Sequence, residues 1–243
     1  LGRPLLLVNA DAALLLSNRA LLPVADRIAF GFEGPDAART KHAVVTGNPV
    51  RAEIEALPAP AERFAGRHGR LRLLVVGGSL GAKALHDALP AALARIDTAH
   101  RPRIPHQTGN AHHAAVSEAY AAAGVEAEIV PFIDDMAARL AACDLMICRA
   151  GAITVSELCA AGVPSVLVPL IIRTTSHQRD KAAQLARHGA AIYLPQAELT
   201  PERLADVLRG LDRTQLLTMA EAARALSRPH AAARVADEIE ALT

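Results

Sequence analysis

Aromatic residues are scarce: the 243-residue chain has no Trp, two Tyr and four Phe. That leaves few stacking platforms for single-stranded nucleic acid, and no basic stripe alternates with the rings that exist. The net charge of +1 demands no polyanionic partner, so nucleic acid is not an expected ligand. Cysteine is also sparse. Cys143, Cys148 and Cys159 are odd in number and lie in apolar contexts, which reads as reduced core thiols and not as a disulfide or zinc framework. No apolar run approaches the roughly 18 residues needed to cross a bilayer. No signal peptide is evident, and Leu1 stands where an initiating methionine would, which reads as a start inside a longer protein. There is no Asp-x-Asp pair for a metal-bound diphosphate, and the ten histidines follow no ligand spacing. Most of them fall on polar helix faces, His106 ends a strand and His177 precedes Gln178 at a helix start. Neither a metal nor a cofactor is expected.

Hydrophobic residues are plentiful, at 51%, which supports a buried core. From Leu71 onward the chain repeats strand, turn and helix. Apolar runs at 71–76, 103–107, 127–130, 145–148 and 165–168 read as strands, with helices expected over 82–96, 111–123 and a short stretch after Asp135. Continuous apolar runs alternating with helices imply a parallel sheet covered on both faces, an α/β fold of Rossmann-like type. Three helices are expected from Pro201 to the end, with Pro201 in the first turn of one. Residues 1–46 look different. A strand at 5–8, a helix at 12–25 and a strand at 27–32 are too little to bury a core alone, and read as the last piece of a preceding domain. The expected organisation is this remnant over 1–46, a linker over 47–70, the main domain over 71–225, and a final helix over 226–243 that packs back toward the remnant.

In an open parallel sheet, ligands bind beyond the carboxyl ends of the strands. Every glycine-rich or polar cluster falls there: GGSLGA (77–82), HQTG (106–109), FIDD (132–135), RAGAITVSE (149–157) and 174–178. The most telling is Leu145 to Glu157, a buried strand that breaks at Gly151 and runs straight into a helix. Such a junction offers backbone N–H groups to an anion, and Glu157, one turn further on, can accept from a diol. Phosphate donors beside a hydroxyl acceptor suggest a nucleotide-sugar site.

Plainer readings stand beside these. GGSLGA is neither a Walker loop nor a true GxGxxG, so it serves either as a packing turn or as a phosphate contact through Ser79. Thr154-Val-Ser-Glu157 also fits a capping box. Asp134 and Asp135 read as N-cap and first-turn acids, with Ile133 offering backbone groups to a heterocyclic base. Gln178 suits either a sugar hydroxyl or a helix cap.

Taken in order, GNPVR (47–51), VVGGSLGA (75–82), HQTG, FIDDM (132–136), RAGAITVSE, AAGVPSVLVP (160–169) and HQ (177–178) resemble the MurG family of peptidoglycan N-acetylglucosaminyltransferases, of glycosyltransferase family 28 and GT-B fold. The resemblance runs from about Gly2 to the C-terminus. It implies inverting transfer of N-acetylglucosamine from UDP-N-acetylglucosamine to undecaprenyl-pyrophosphoryl-muramoyl-pentapeptide (lipid I), giving lipid II, by a peripheral enzyme on the cytoplasmic face of the bacterial inner membrane. It places Arg51 and Ile133 by the nucleotide and Ser79 by the diphosphate. Ala152, Ile153, Thr154, Val155, Ser156 and Glu157 form the turn over phosphate and ribose, and Gln178 reaches the sugar.

Three departures are visible. The family's N-terminal G-x-G-G-H loop, which bears a histidine implied in catalysis, is not in this sequence, so no catalytic residue is assigned and membrane contact is expected through the absent domain. The family's asparagine contact is Asp11 here, within Val8-Asn9-Ala10-Asp11. Its asparagine three residues past Gln178 is Lys181. Two alternatives remain alongside transfer: a non-catalytic UDP-sugar-binding subunit, and a UDP-sugar epimerase. An epimerase would release free sugar isomers without a lipid acceptor.

Overall fold

The computed structural model describes residues 2–78, 82–170 and 177–242. The first unit is a three-stranded parallel sheet of β1 (Leu6–Asn9), β2 (Arg27–Phe30) and β3 (Ala43–Val45), in that order. Helices α1 (Leu16–Leu21) and α2 (Pro35–Arg39) connect the strands. The core of this unit is small, centred on Leu7, Ile28, Phe30 and Ala37. Val8, Leu16, Leu21 and Val24 remain exposed on it.

Helix α1 is much shorter than the 12–25 expected, and the reason is local. The Asn9 amide donates to the carbonyls of Asp11 and Ala13 and accepts from the Leu15 N–H, while Asp36 accepts from the Leu14 N–H. Side chains thus claim the backbone groups that another helical turn would use. At the other end Pro23, inside a 3-10 turn over Leu22–Val24, stops propagation.

The stretch read as a linker contains two short helices, α3 (Ala52–Glu55) and α4 (Pro60–Phe64). Ile54, Pro60 and Phe64 are buried against the main domain. Arg63 fixes them there by donating to the carbonyls of Pro58, Leu140, Ala161 and Gly162.

The second unit is a six-stranded, all-parallel sheet built from β4 (Leu73–Val76), β5 (Pro105–Gln107), β6 (Glu128–Val130), β7 (Leu145–Cys148), β8 (Ser165–Leu167) and β9 (Ala191–Tyr193). Their order is β6-β5-β4-β7-β8-β9. All four residues of β7 and all three of β8 are buried, as an apolar run covered on both faces requires. One layer carries α5 (Lys83–Ala94) and α6 (His113–Ala122); α7 (Met136–Ala142), α8 (Ala152–Ala161) and α9 (His177–Arg187) lie against the other face or edges.

Three C-terminal helices follow: α10 (Pro201–Arg209), α11 (Arg213–Ala225) and α12 (Ala231–Glu240). Pro201 does open α10, and Thr200 accepts from the Arg203 N–H as its cap. Asp212 and Gln215 form a reciprocal capping box on α11. Helix α12 reaches the first sheet: Glu238 pairs with Arg27, and Arg234 Nε donates to the Thr46 carbonyl at 2.9 Å.

The amino edge of the large sheet is tied down by arginines. Arg101 donates to the carbonyls of Leu93, Ile96 and Gly124, at the ends of α5 and α6. Guanidinium groups at helix C-termini satisfy orphan carbonyls and complement the dipole. Beneath them Asp144, fully buried, accepts from Arg67 at 2.7 Å, Arg213 at 3.0 Å and the Arg72 N–H at 2.9 Å. These amino-edge groups are therefore spent on structure. At the carboxyl edge, polar groups stay available.

Candidate functional site

The strand order places β4 and β7 side by side at the centre, with β5 and β6 on one flank and β8 and β9 on the other. Successive connections leave this pair in opposite directions, which opens a crevice beyond its carboxyl ends. Gly77 and Gly78 follow β4 there, and Arg149, Ala150 and Gly151 follow β7.

The N-terminus of α8 faces this crevice without a protein cap. Gly151 is the N-cap in extended conformation, and no side chain accepts from the first turn. The first intrahelical bond is Val155 N–H to the Gly151 carbonyl, so the N–H groups of Ala152, Ile153 and Thr154 meet no acceptor among the described residues. Those three donors and the helix dipole favour an anion. The helix ends at Gly162 in the left-handed region (φ 61°), where an added Cβ would lie 2.7 Å from Pro60 Cγ.

This geometry overturns the capping-box alternative. Thr154 is already the third residue of the helix, too late to cap it, and Glu157 binds no backbone N–H. Glu157 Oε1 instead accepts from both Arg51 Nε, at 3.2 Å, and Arg51 Nη2, at 2.8 Å. Arg51 sits at the N-cap position of α3, so the pair joins the segment after the first sheet to the site helix. Glu157 is mostly buried and Arg51 half exposed, and Glu157 Oε2 is an oriented acceptor with no partner among the described residues. Next to it, Ser156 Oγ accepts from Asn48 Nδ2 at 3.1 Å and donates to the Ala152 carbonyl. Val155 is core and Ile153 is partly exposed.

On the other flank, Ile133 is buried while Phe132 beside it is largely exposed at the edge. Asp135 occupies the N-cap position of α7, but its carboxylate makes no cap bond and pairs with Arg139 instead. Asp134 lies one residue outside that cap position. Gln178 is in the first turn of α9, and its Oε1 accepts from the Leu170 N–H at 2.9 Å. That acceptance fixes the amide orientation, with its NH2 as a donor. Asp11 does not stand open: its carboxylate pairs with Lys181 on α9. Ser79, and residues 174–176 of the last cluster, lie outside the described residues.

Several groups escaped sequence reasoning. Arg149 is half-buried directly before Ala150 and Gly151, and among the described residues only its Nη1 is engaged, on the Val168 carbonyl at 3.0 Å. Burial lowers its pKa from the usual arginine value, yet it stays cationic near neutral pH. Its signal was position alone, the residue that ends a buried strand before a glycine turn. His86 does not follow the polar-face reading of most histidines: it is buried in contact with His106, which lies in β5 as the strand reading placed it. Burial first, then mutual repulsion, pushes His106 down to about 3. His86 is lowered to about 4 by burial and His112, against the opposing pull of Asp87. The three cysteines are free and buried, and burial pushes each thiol up to about 12.

The chain is similar along its whole length to curated bacterial proteins. One from Methylibium petroleiphilum, named UDP-N-acetylglucosamine–N-acetylmuramyl-(pentapeptide) pyrophosphoryl-undecaprenol N-acetylglucosamine transferase, is 71% identical over 244 residues, covering 100% of this chain and 66% of the relative. A protein of the same name from Chromobacterium violaceum is 64% identical, covering 98% of this chain and 66% of its own length. The chain therefore spans about two thirds of the length of these relatives. The crystal structure of Acinetobacter baumannii MurG superposes with a TM-score of 0.82 at 35% identity, over 99% of this chain and 67% of that one. The glycosyltransferase family 28 C-terminal domain matches residues 72–238, which covers the six-stranded sheet, the open N-terminus of α8 and the three final helices. The chain belongs to glycosyltransferase family 28, with the GT-B architecture that its motifs implied.

Proposed function

We propose that the chain forms the donor-binding part of an inverting glycosyltransferase, which moves N-acetylglucosamine from UDP-N-acetylglucosamine to lipid I and so makes lipid II. The observation that carries this reading is the uncapped N-terminus of α8 beside the Arg51-oriented carboxylate of Glu157. The N–H groups of Ala152 to Thr154 take the donor's phosphate oxygens, and Glu157 Oε2 accepts from the ribose hydroxyls. As the glycosidic bond to UDP breaks, negative charge grows on the leaving diphosphate. Donors fixed in advance at that point stabilise it without reorganisation. The Arg149 guanidinium adds a positive charge from the same strand end.

Ile133 offers its backbone to the base, Arg51 lies by the nucleotide, Ser79 serves the diphosphate, and the NH2 of Gln178 donates to the sugar. No metal is needed in this scheme, because the helix terminus and guanidinium supply the positive potential. The lipid-linked acceptor places the reaction at the cytoplasmic face of the inner membrane. No helix among the described residues is long and apolar enough to cross a membrane. We assign surface contact with the bilayer to the part of the relatives that lies outside this chain.

Isothermal titration with UDP tests the reading. The chain should bind UDP, and Glu157→Ala should weaken binding by about 1.5–3 kcal/mol, the usual loss for a hydrogen bond to a charged group. Undiminished affinity in a folded Glu157→Ala protein would remove the ribose contact and with it the central argument.

A further inference from the structure

Three arginines at the amino edge of the large sheet are not spent on structure. A cavity of about 830 Å³ lies there, at the starts of β4, β5 and β6, and five arginines line it against two glutamates. Two of the five are engaged. Arg101 holds three carbonyls at helix ends, and Arg139 makes a two-pronged pair with Glu128 at 2.7 and 2.8 Å. Arg70, Arg72 and Arg103 are exposed, and their guanidinium groups have no hydrogen bond or ion pair among the described residues. Against these three cations stands one unpaired lining acid, the exposed Glu126.

Backbone pairing roots two of the three side by side. Arg72 and Arg103 are bridge partners on neighbouring parallel segments. The Leu73 N–H donates to the Arg103 carbonyl, and the Arg103 N–H to the Leu71 carbonyl, each at 2.8 Å. Partners in register stand roughly 5 Å apart on one face of a sheet, so two like charges share that face. Such a pair is unfavourable unless something negative lies against it. Packing does not call for charge at either position, because both side chains are exposed.

Two further features favour an anion. The C-terminal ends of α5 and α6, which would repel one, have carbonyls already taken by Arg101. Beneath the guanidinium groups the cavity is lined by the buried residues Leu73, Pro102 and Ile104. Low-dielectric walls concentrate the field of the cations above them.

We infer that this cavity is a second ligand site, for a phosphate-bearing anion, in which Arg72 and Arg103 clamp the phosphate oxygens and Arg70 adds charge at the side. Planar guanidinium forks match phosphate oxygens in pairs. The site lies at the opposite end of β4 from the donor crevice, roughly 13 Å away at 3.3 Å per residue, with the sheet between them. It does not depend on the donor reading. A soluble phosphate compound and the headgroup of an anionic phospholipid present the same chemistry.

Inorganic pyrophosphate and lipid vesicles are the probes. In 1H–15N spectra, pyrophosphate should shift the amides of residues 103, 104 and 126–128 as one set, with its own saturation curve, whatever happens at 152–154. Arg72→Gln/Arg103→Gln should weaken binding to that set by about tenfold or more, the range for a hydrogen bond to a charged group, and leave any shifts at 152–154 unchanged. Sedimentation with phosphatidylglycerol vesicles, against phosphatidylcholine vesicles, identifies the source. Binding to phosphatidylglycerol that the double variant loses assigns a lipid headgroup; pyrophosphate shifts without vesicle binding assign a soluble phosphate.

The urea midpoint of the double variant in phosphate-free buffer should equal or exceed that of the unaltered chain, since only a repulsion is removed. A clear fall would mean that these arginines serve the fold, and would overturn the proposal. So would the absence of shifts at 103, 104 and 126–128 in millimolar pyrophosphate, or shifts there that the double variant keeps undiminished. None of these outcomes touches the donor reading, which stands or falls on UDP and Glu157.

Discussion

Asp11 and Lys181 form an ion pair across the seam between the two sheets, with the Lys181 side chain 3% exposed and that of Asp11 16% exposed. Asp11 follows the end of β1, and Lys181 lies in the first half of α9 with its ammonium also 5.9 Å from the centre of the Phe32 ring. These are the two positions at which the motif resemblance implies asparagines. The structure joins the two positions: their opposite charges satisfy each other.

A buried charge without its partner costs far more than the pair contributes. Asp11→Asn or Lys181→Asn alone should each destabilise the chain, by about 3–5 kcal/mol at full burial. The double variant Asp11→Asn/Lys181→Asn should recover most of that loss, because it removes both charges together. A double-mutant cycle in urea measures the coupling. Additive losses would mean that the two side chains act independently, in conflict with the observed pair.

Acid should weaken the fold through the buried pair His86 and His106. Burial holds His86 at about 4 and His106 at about 3, both below the usual value of 6.5. Above that value both rings are neutral in either state, and the stability is fully present. As pH falls below it, the unfolded chain binds protons that the native chain refuses, so stability declines by about 1.4 kcal/mol per pH unit for each histidine, until the native rings titrate. Urea midpoints between pH 6.5 and 5 should fall for the unaltered chain, and fall less steeply for His86→Gln. Equal slopes would mean that His86 protonates freely in the folded protein.

Asp144 supports a prediction at the opposite edge of the sheet. Its carboxylate is fully buried and gathers two guanidinium groups and a backbone N–H. Asp144→Ala should cost about 3–5 kcal/mol, since it strands Arg67, itself nearly buried, without its counter-charge. UDP affinity measured well below the melting temperature should be unchanged, because the residue lies at the edge away from the crevice. A large loss of affinity in the folded variant would show that the amino edge governs the shape of the carboxyl edge.

How much of this was legible in the sequence varies with the physics of each element. The run Leu145 to Cys148 was read at its true boundaries, because four consecutive buried residues leave a continuous apolar signal. The helix expected over 12–25 failed because the competitor was the side chain of Asn9, which binds backbone groups up to six residues away. Strands β3 and β9 went unseen. In the crevice, the Gly151–Ala152 junction was evident from its glycine break. The partner of Glu157 was not, because Arg51 is 106 residues distant in sequence and only the fold brings them together. The same holds for the contact of His86 with His106, 20 residues apart in sequence.

Catalysis gives the last prediction. Inverting transfer needs a base for the acceptor hydroxyl as well as a stabiliser for departing UDP. The crevice supplies the second. For the first, Asp11 is paired with Lys181, Glu157 Oε1 with Arg51, and Asp135 with Arg139. His86 and His106 are buried, mutually bonded and too weakly basic, at about 4 and about 3, to hold a proton near neutral pH. The 243-residue chain should therefore bind UDP yet form almost no lipid II from lipid I and UDP-N-acetylglucosamine. Fusing to it the remaining third of the Methylibium petroleiphilum relative should bring turnover, and should also protect Val8, Leu16, Leu21 and Val24 from hydrogen exchange by covering that apolar face. Brisk lipid II formation by the 243 residues alone would place a base within them. Asp11, released from Lys181 by donor binding, would then be the first residue to replace.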